Sequence, residues 1–194
     1  MSRMDNTKFY KAALTQHGHT SKGVHWNSDS SQQVRFDVLL GLLPDITEMT
    51  LVDVGCGFGD LYCYMERKPK CYTGIDIMDE MVKEAQKRTS CKIIKADVLQ
   101  DNLPSADYYI CSGAMNILSR FETYLFIRRC YEASTKGFVF NLLEGEDESL
   151  LYNYFQPKEI KKMAKELGAK FYMKKGYLPR DFSVFLEKEG GIDG

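Results

Sequence analysis

One stretch, Leu51-Val52-Asp53-Val54-Gly55-Cys56-Gly57-Phe58-Gly59, limits what this chain can fold into more than any other. A mostly apolar run leads into three glycines at alternate positions, and Asp60 then opens a helix-like segment to Lys68, stopped by Pro69. A short apolar run bounded by glycines reads as a buried strand feeding a tight loop. A glycine-rich turn at a helix start lets backbone N–H groups approach a ligand with no side chain in the way.

The same rhythm recurs downstream. Cys71 to Ile75, Lys92 to Lys95, Tyr108 to Cys111 and Gly137 to Leu143 read as strands. Between them Asp79 to Arg88 reads as a helix with Met81, Val82 and Ala85 on one face, and Arg120 to Ser134 as a longer amphipathic one. Pro157 opens a helix that Gly168 ends. Lys170 to Lys174 and Phe182 to Glu187 close the chain as two strands, and the link between them, through Gly176 to Arg180, is too short for a crossover helix, so they pair antiparallel. Alternating strands and helices predict a doubly wound α/β fold, with a mostly parallel sheet covered on both faces and ligands at the carboxyl ends of its strands.

About fifty residues without strand character precede this core. Asn6 to Gln16 and Ser31 to Leu43 read as helices, the second with Val34, Val38 and Leu42 on one face, joined by an irregular segment. The expected organisation is a helical cap over the ligand edge (1–45), a ligand-binding core (46–189) and a glycine-rich tail (190–194).

Two carboxylates extend the glycine motif. Asp76 ends the second strand 21 residues past Gly55, where a carboxylate can accept both hydroxyls of a ribose. Asp97 follows the third strand after another 21 residues, placed to accept from an adenine amino group, with Ile77 and Val98 supplying apolar faces for the ring. The nearest rival is a nicotinamide-dinucleotide fold, whose GxGxxG fingerprint requires glycine where this chain has Asp60.

Leu51 to Asp60, with Asp76 and Asp97, resembles the motif set of the class I S-adenosylmethionine (AdoMet)-dependent methyltransferases, a likeness covering about 51–187. The resemblance implies a seven-stranded sheet with an antiparallel carboxyl-terminal hairpin. It also implies AdoMet as methyl donor, with S-adenosylhomocysteine as product. Gly55, Cys56 and Gly57 would line the methionine moiety, Asp76 and Ile77 the ribose and one adenine face, and Asp97 and Val98 the adenine edge. Ser112 and Gly113, after the fourth strand, would flank the sulfonium. Trp26 and Arg35 resemble residues of small-molecule methyltransferases similar to glycine N-methyltransferase. Trp26 would pack on the cofactor and Arg35 would pair with its carboxylate. Two alternatives stand beside this reading: a non-catalytic AdoMet-binding module and a NAD-dependent oxidoreductase.

Composition narrows the acceptor. The formal net charge is −1 over 194 residues, so no general field draws the chain to nucleic acid or anionic membrane. Cys111-Ser-Gly-Ala-Met-Asn116 stands where many nucleic-acid amino-methyltransferases carry an Asn-Pro-Pro-Tyr tetrad. A small-molecule acceptor is therefore expected, and no nucleic-acid or membrane partner. His17, His19 and His25 lack a nearby carboxylate or cysteine, a poor metal set, so no metal is expected. With Tyr10 and Asn116 these histidines are candidates for a base or orienting group, and no catalytic residue is singled out. The six cysteines form no CxxC pair, and the first residues lack the apolar core of a secretory leader, which fits a cytoplasmic chain.

Overall fold

The computed structural model describes residues 29–146 and 152–190. Helix α1 (Asp29–Leu42) is followed by β1 (Thr50–Val54), α2 (Asp60–Tyr64), β2 (Cys71–Asp76), α3 (Asp79–Thr89), β3 (Lys92–Lys95) and β4 (Ala106–Cys111). A single 3-10 turn (Ala114–Ile117) leads to α4 (Arg120–Ala133), β5 (Ser134–Glu144), β6 (Tyr154–Phe155), α5 (Pro157–Glu166), β7 (Ala169–Lys175) and β8 (Asp181–Lys188). The sheet order is β3-β2-β1-β4-β5-β8-β7, with β6 paired to β5. β1 to β6 run parallel, and β8 inserts antiparallel between β5 and β7.

Period-two alternation decides which helices each strand residue meets. In β4, Tyr108 and Ile110 face α1, α2 and α3 in a core that includes Phe36, Leu39, Leu61 and Val82, while Tyr109 and Cys111 face α4 and α5 through Phe126, Ile127 and Ile160. Both faces of the central strands are thus dry, as continuous apolar runs require. Capping chemistry sets the helix starts on the second face. Ser119 and Glu122 form a reciprocal capping box at α4, and Gln156 and Glu159 form another at α5, with Pro157 in its first turn.

Three elements depart from expectation. Helix α2 stops at Tyr64 rather than continuing to Lys68, because Met65 turns extended (φ −56, ψ 129) and the Lys68 ammonium caps the exposed carbonyls of Tyr62 and Met65. The two-residue β6 makes an eighth strand beside the seven expected. On α1 the deepest residues are Phe36 and Leu39, continued by Leu43, and Val34, Val38 and Leu42 are only half-buried at their flanks. That face packs on β5 and β8, so α1 is a covering layer of the sheet as well as a border of its ligand edge. The expected helix Asn6 to Gln16 lies outside the described residues, as do Trp26, Tyr10, His17, His19 and His25.

Candidate functional site

A cleft of about 580 Å³ opens along the carboxyl ends of the strands. It is lined by every described residue of the expected cofactor set: Arg35, Gly55, Cys56, Gly57, Asp76, Ile77, Asp97, Val98, Ser112 and Gly113. Asn116 lines it too.

The glycine loop enters it from β1. Gly55 has φ +72, and a Cβ there would fall 2.3 Å from the Ala114 Cβ, so this glycine brings the loops after β1 and β4 together. Gly57 has φ +54 with nothing within 4 Å of an added Cβ. Its open side is the cleft, which leaves room for a ligand to approach the backbone. The Gly57 N–H donates to Asp76 Oδ2 at 3.0 Å and the Met78 N–H to Oδ1 at 2.9 Å, which fixes the carboxylate at the end of β2. Two backbone donors leave lone pairs for further partners, since a carboxylate offers about four acceptor sites. Burial raises the Asp76 pKa above its ordinary value, opposed by these N–H donors.

Ile77 beside it is 41% exposed, a large apolar side chain left wet at the cleft wall and available as a platform for a planar ring. Val98 is buried next to Asp97, whose Oδ1 accepts from the Leu99 N–H at 2.9 Å and whose Oδ2 accepts from Gln100 Nε2 at 2.8 Å. Asp97 thereby orders its own turn while lining the cleft.

Asp53 is the most perturbed acid. It is 2% exposed, accepts the Tyr72 hydroxyl at 2.6 Å and lines the cleft. Burial, with Asp76 and Asp60 as nearby like charges, pushes its pKa up to about 7 against the Tyr72 hydrogen bond. The Cys56 thiol is also raised by burial, so it behaves as a small apolar group and contributes chiefly its backbone.

The other end of the cleft is built differently. Arg35 binds Asp181 as a fork, Nε to Oδ1 at 3.0 Å and Nη2 to Oδ2 at 2.7 Å. Asn141 Nδ2 donates to the same Oδ1 at 3.1 Å, and Asn141 Oδ1 accepts from the Gly113 N–H at 2.9 Å. A hydrogen-bonded chain thus runs from the first described helix through the last strand to the loop after β4. Sequence reasoning missed Asn141 and Asp181. The signal for Asn141 was present: it is a polar residue inside Phe138-Val-Phe-Asn-Leu-Leu143, and it is fully buried. Asp181 carried no comparable mark. The fork also means that the Arg35 face turned to Asp181 is already engaged, so any ligand carboxylate must use another edge of the guanidinium.

Two buried polar atoms of cleft-lining residues, Ser112 Oγ and Asn116 Oδ1, have no hydrogen-bond partner among the described residues. Buried polar groups are nearly always satisfied, so such atoms at a cleft point to a ligand or water that completes them. The arrangement as a whole gathers apolar side chains (Ile77, Val98), carboxylates (Asp76, Asp97) and an unobstructed glycine-loop backbone along one cleft.

Residues 51–137 match the family model described as a methyltransferase domain. No curated protein matches. Among solved structures, magnesium protoporphyrin IX methyltransferase from Synechocystis, crystallised with bound SAM, superposes with a TM-score of 0.75 at 14% identity, over 97% of this chain and 100% of that one. An S-adenosylmethionine-dependent methyltransferase from Clostridium acetobutylicum gives a TM-score of 0.65 at 13% identity, over 95% and 99% of the two chains. One from Mesorhizobium loti gives 0.66 at 16%, over 80% and 98%. At these identities the likeness is one of fold.

Proposed function

We propose that this chain, a class I methyltransferase by its domain and its fold, uses AdoMet to methylate a small-molecule acceptor bound beyond Ser112 and Gly113. The carrying observation is one cleft in which Asp76, Ile77, Asp97 and Val98 stand beside an unobstructed glycine loop. AdoMet, when bound, supplies a methyl group on a positively charged sulfur that is already a good leaving group.

The residues of the chain hold and align. Asp76 accepts the ribose hydroxyls, Ile77 and Val98 enclose the ring, and Asp97 takes its amino edge. The loop at Gly55 to Gly57 offers N–H groups to the tail, and Arg35 offers a guanidinium edge. Asn141 fixes Gly113, and with it the side from which the acceptor must approach. Held in line by these residues, AdoMet would give its methyl group to the acceptor's nucleophilic atom with the bonding electron pair left on sulfur, and any proton on that atom would pass to water. Asn116 serves as an orienting group, since a carboxamide does not take up a proton near neutrality.

A small acceptor is supported by the modest size of the cleft and by the neighbour from Synechocystis, named for methylating magnesium protoporphyrin IX. Among the described residues no helix is long and apolar enough to cross a membrane, and the six cysteines are free, which suits a reducing, cytoplasmic setting. Of the expected cap, residues 1–45, helix α1 borders the cleft through Gln32, Arg35 and Phe36.

S-adenosylhomocysteine and AdoMet are expected to raise the melting temperature. Asp76→Ala should weaken both by roughly 10–150-fold, the loss of about 1.5–3 kcal/mol of charge-assisted hydrogen bonding. Stabilisation by NAD alone would refute the reading.

A further inference from the structure

The two ends of the cleft carry different charged groups, carboxylates at one, of which Asp60 pairs with Arg88, and ion pairs with one further cation at the other. The end at β1 to β3 gathers Asp53, Asp60, Asp76 and Asp97. At the far end Asp181 is neutralised by Arg35, and nearby Glu144 is neutralised by Lys175. What remains there is Arg180, on the cleft wall, with no carboxylate partner among the described residues and its guanidinium 5.6 Å from the centre of the Tyr154 ring.

Arg180 sits in the left-handed region with φ +61. Such a conformation strains a residue with a Cβ, and glycine would adopt it freely. Strained backbone of this kind clusters at ligand sites, and Arg180 lines the cleft. Asn116 supplies the second observation. Its backbone is held on both sides, N–H to Gly113 O and O from the Asn153 N–H, yet on this cleft-lining residue the buried Oδ1 has no hydrogen-bond partner among the described residues. That atom lacks a donor.

We infer that the acceptor is a small anion bearing a hydroxyl or amino group at the atom to be methylated, with Arg180 taking the anionic group and Asn116 Oδ1 accepting from the nucleophile. The inference rests on the methyltransferase reading above. Charge explains the selection: a cationic acceptor would be repelled by both Arg180 and the donor sulfonium, whereas an anion is attracted by both.

The test is calorimetry on the protein saturated with S-adenosylhomocysteine, using matched probes. These are meta-hydroxybenzoate and meta-hydroxyphenylphosphonate as anions, meta-hydroxybenzamide as the neutral analogue, and meta-hydroxybenzylamine as the cation. At least one anion should bind roughly tenfold tighter than the amide, the lower end expected for a charge-assisted contact on a partly wet arginine, and the amine should bind weakest. Which anion binds tighter distinguishes a carboxylate from a phosphonate or phosphate acceptor. Arg180→Gly and Arg180→Gln should both erase the preference, and Arg180→Gly should raise the melting temperature by relieving the backbone, which separates lost recognition from lost folding. Asn116→Leu should narrow the gap between meta-hydroxybenzoate and benzoate. An amine that binds as well as the anions, no binding of either anion at millimolar concentration, or an anion preference that survives Arg180→Gly would overturn the proposal. Failure of S-adenosylhomocysteine itself to bind would be seen before any probe is added and would remove the reading underneath it.

Discussion

The two ends of the cleft reach a defined geometry by different routes. At the β1–β3 end the groups are close in sequence and locked by backbone: Asp76 is held by the N–H groups of Gly57 and Met78, and Asp97 by that of Leu99. At the β5–β8 end nothing is local. Arg35 meets Asp181 across 146 positions, Asn141 meets Asp181 across 40, and Gly113 meets Asn141 across 28. The first end is a property of three consecutive strand–loop units. The second exists only when the whole sheet is assembled.

The largest expected difference between them is therefore in stability. Asp181 is almost fully buried and its Arg35 partner nearly so. Asp181→Ala leaves a guanidinium and the Asn141 amide without their acceptor, and should cost about 3–5 kcal/mol in urea unfolding. Asp181→Asn should recover part of that by keeping an acceptor oxygen. A cost below about 1 kcal/mol for the alanine would mean that the long-range end is held by packing alone.

The next effect is electrostatic and belongs to the other end. Asp53 titrates near 7 in the folded chain, against an ordinary carboxylate value near 4 in the unfolded one. Its folded pKa is raised, so its contribution to stability is complete below the unfolded value and is lost as pH rises through about 7. Between these limits stability should fall by up to about 1.4 kcal/mol per pH unit, and Asp53→Asn should flatten that slope. Binding should run the opposite way: the affinity for AdoMet, which carries a positive sulfonium, should rise as Asp53 ionises. A wild-type denaturation series from pH 4 to 8 that matches the Asn variant would return Asp53 to an ordinary acid.

The smallest effect comes from an ion pair at the same end as Asp53. Arg88 and Asp60 approach to 2.7 Å with side chains 36% and 25% exposed. Asp60→Asn should change stability by no more than about 1 kcal/mol. Set beside Asp181→Ala, it tests whether the contrast between the ends is one of burial rather than of charge pairing as such. Equal losses for the two would erase it.

The same contrast explains what could be read from residues alone. Glycine spacing and the steps to Asp76 and Asp97 were legible because each residue's role follows from its position at the end of its own strand. The strands themselves, the antiparallel hairpin and the helix starts followed from apolar runs, glycines and prolines. Arg35 was legible as a cation at the cleft, but its partner was not. A salt bridge between α1 and β8 depends on β8 lying next to β5, and no local pattern states that adjacency. Asn141 could have been singled out by its polarity in an apolar strand, although its pairing with Gly113 and Asp181 could not. The early end of α2 was hidden for a similar reason, because Lys68 reaches back to carbonyls that the helical pattern alone would have satisfied.

The chain from Arg35 to Gly113 also has a consequence for how the molecule comes into being. During synthesis β1 to β5 can emerge and pair in order, and the glycine loop can take shape, before the Asp181 that Arg35 binds has been made. Strand β8 must then slip between β5 and the sheet edge, bringing β7 with it as a finished hairpin. Pairings of such long sequence separation form late, since loop closure must precede their reward. A nascent chain arrested before Asp181 would thus carry the glycine loop and the Gly113–Asn141 contact without the carboxylate that ties them to Arg35, and the full chain of bonds would arrive with the last strand.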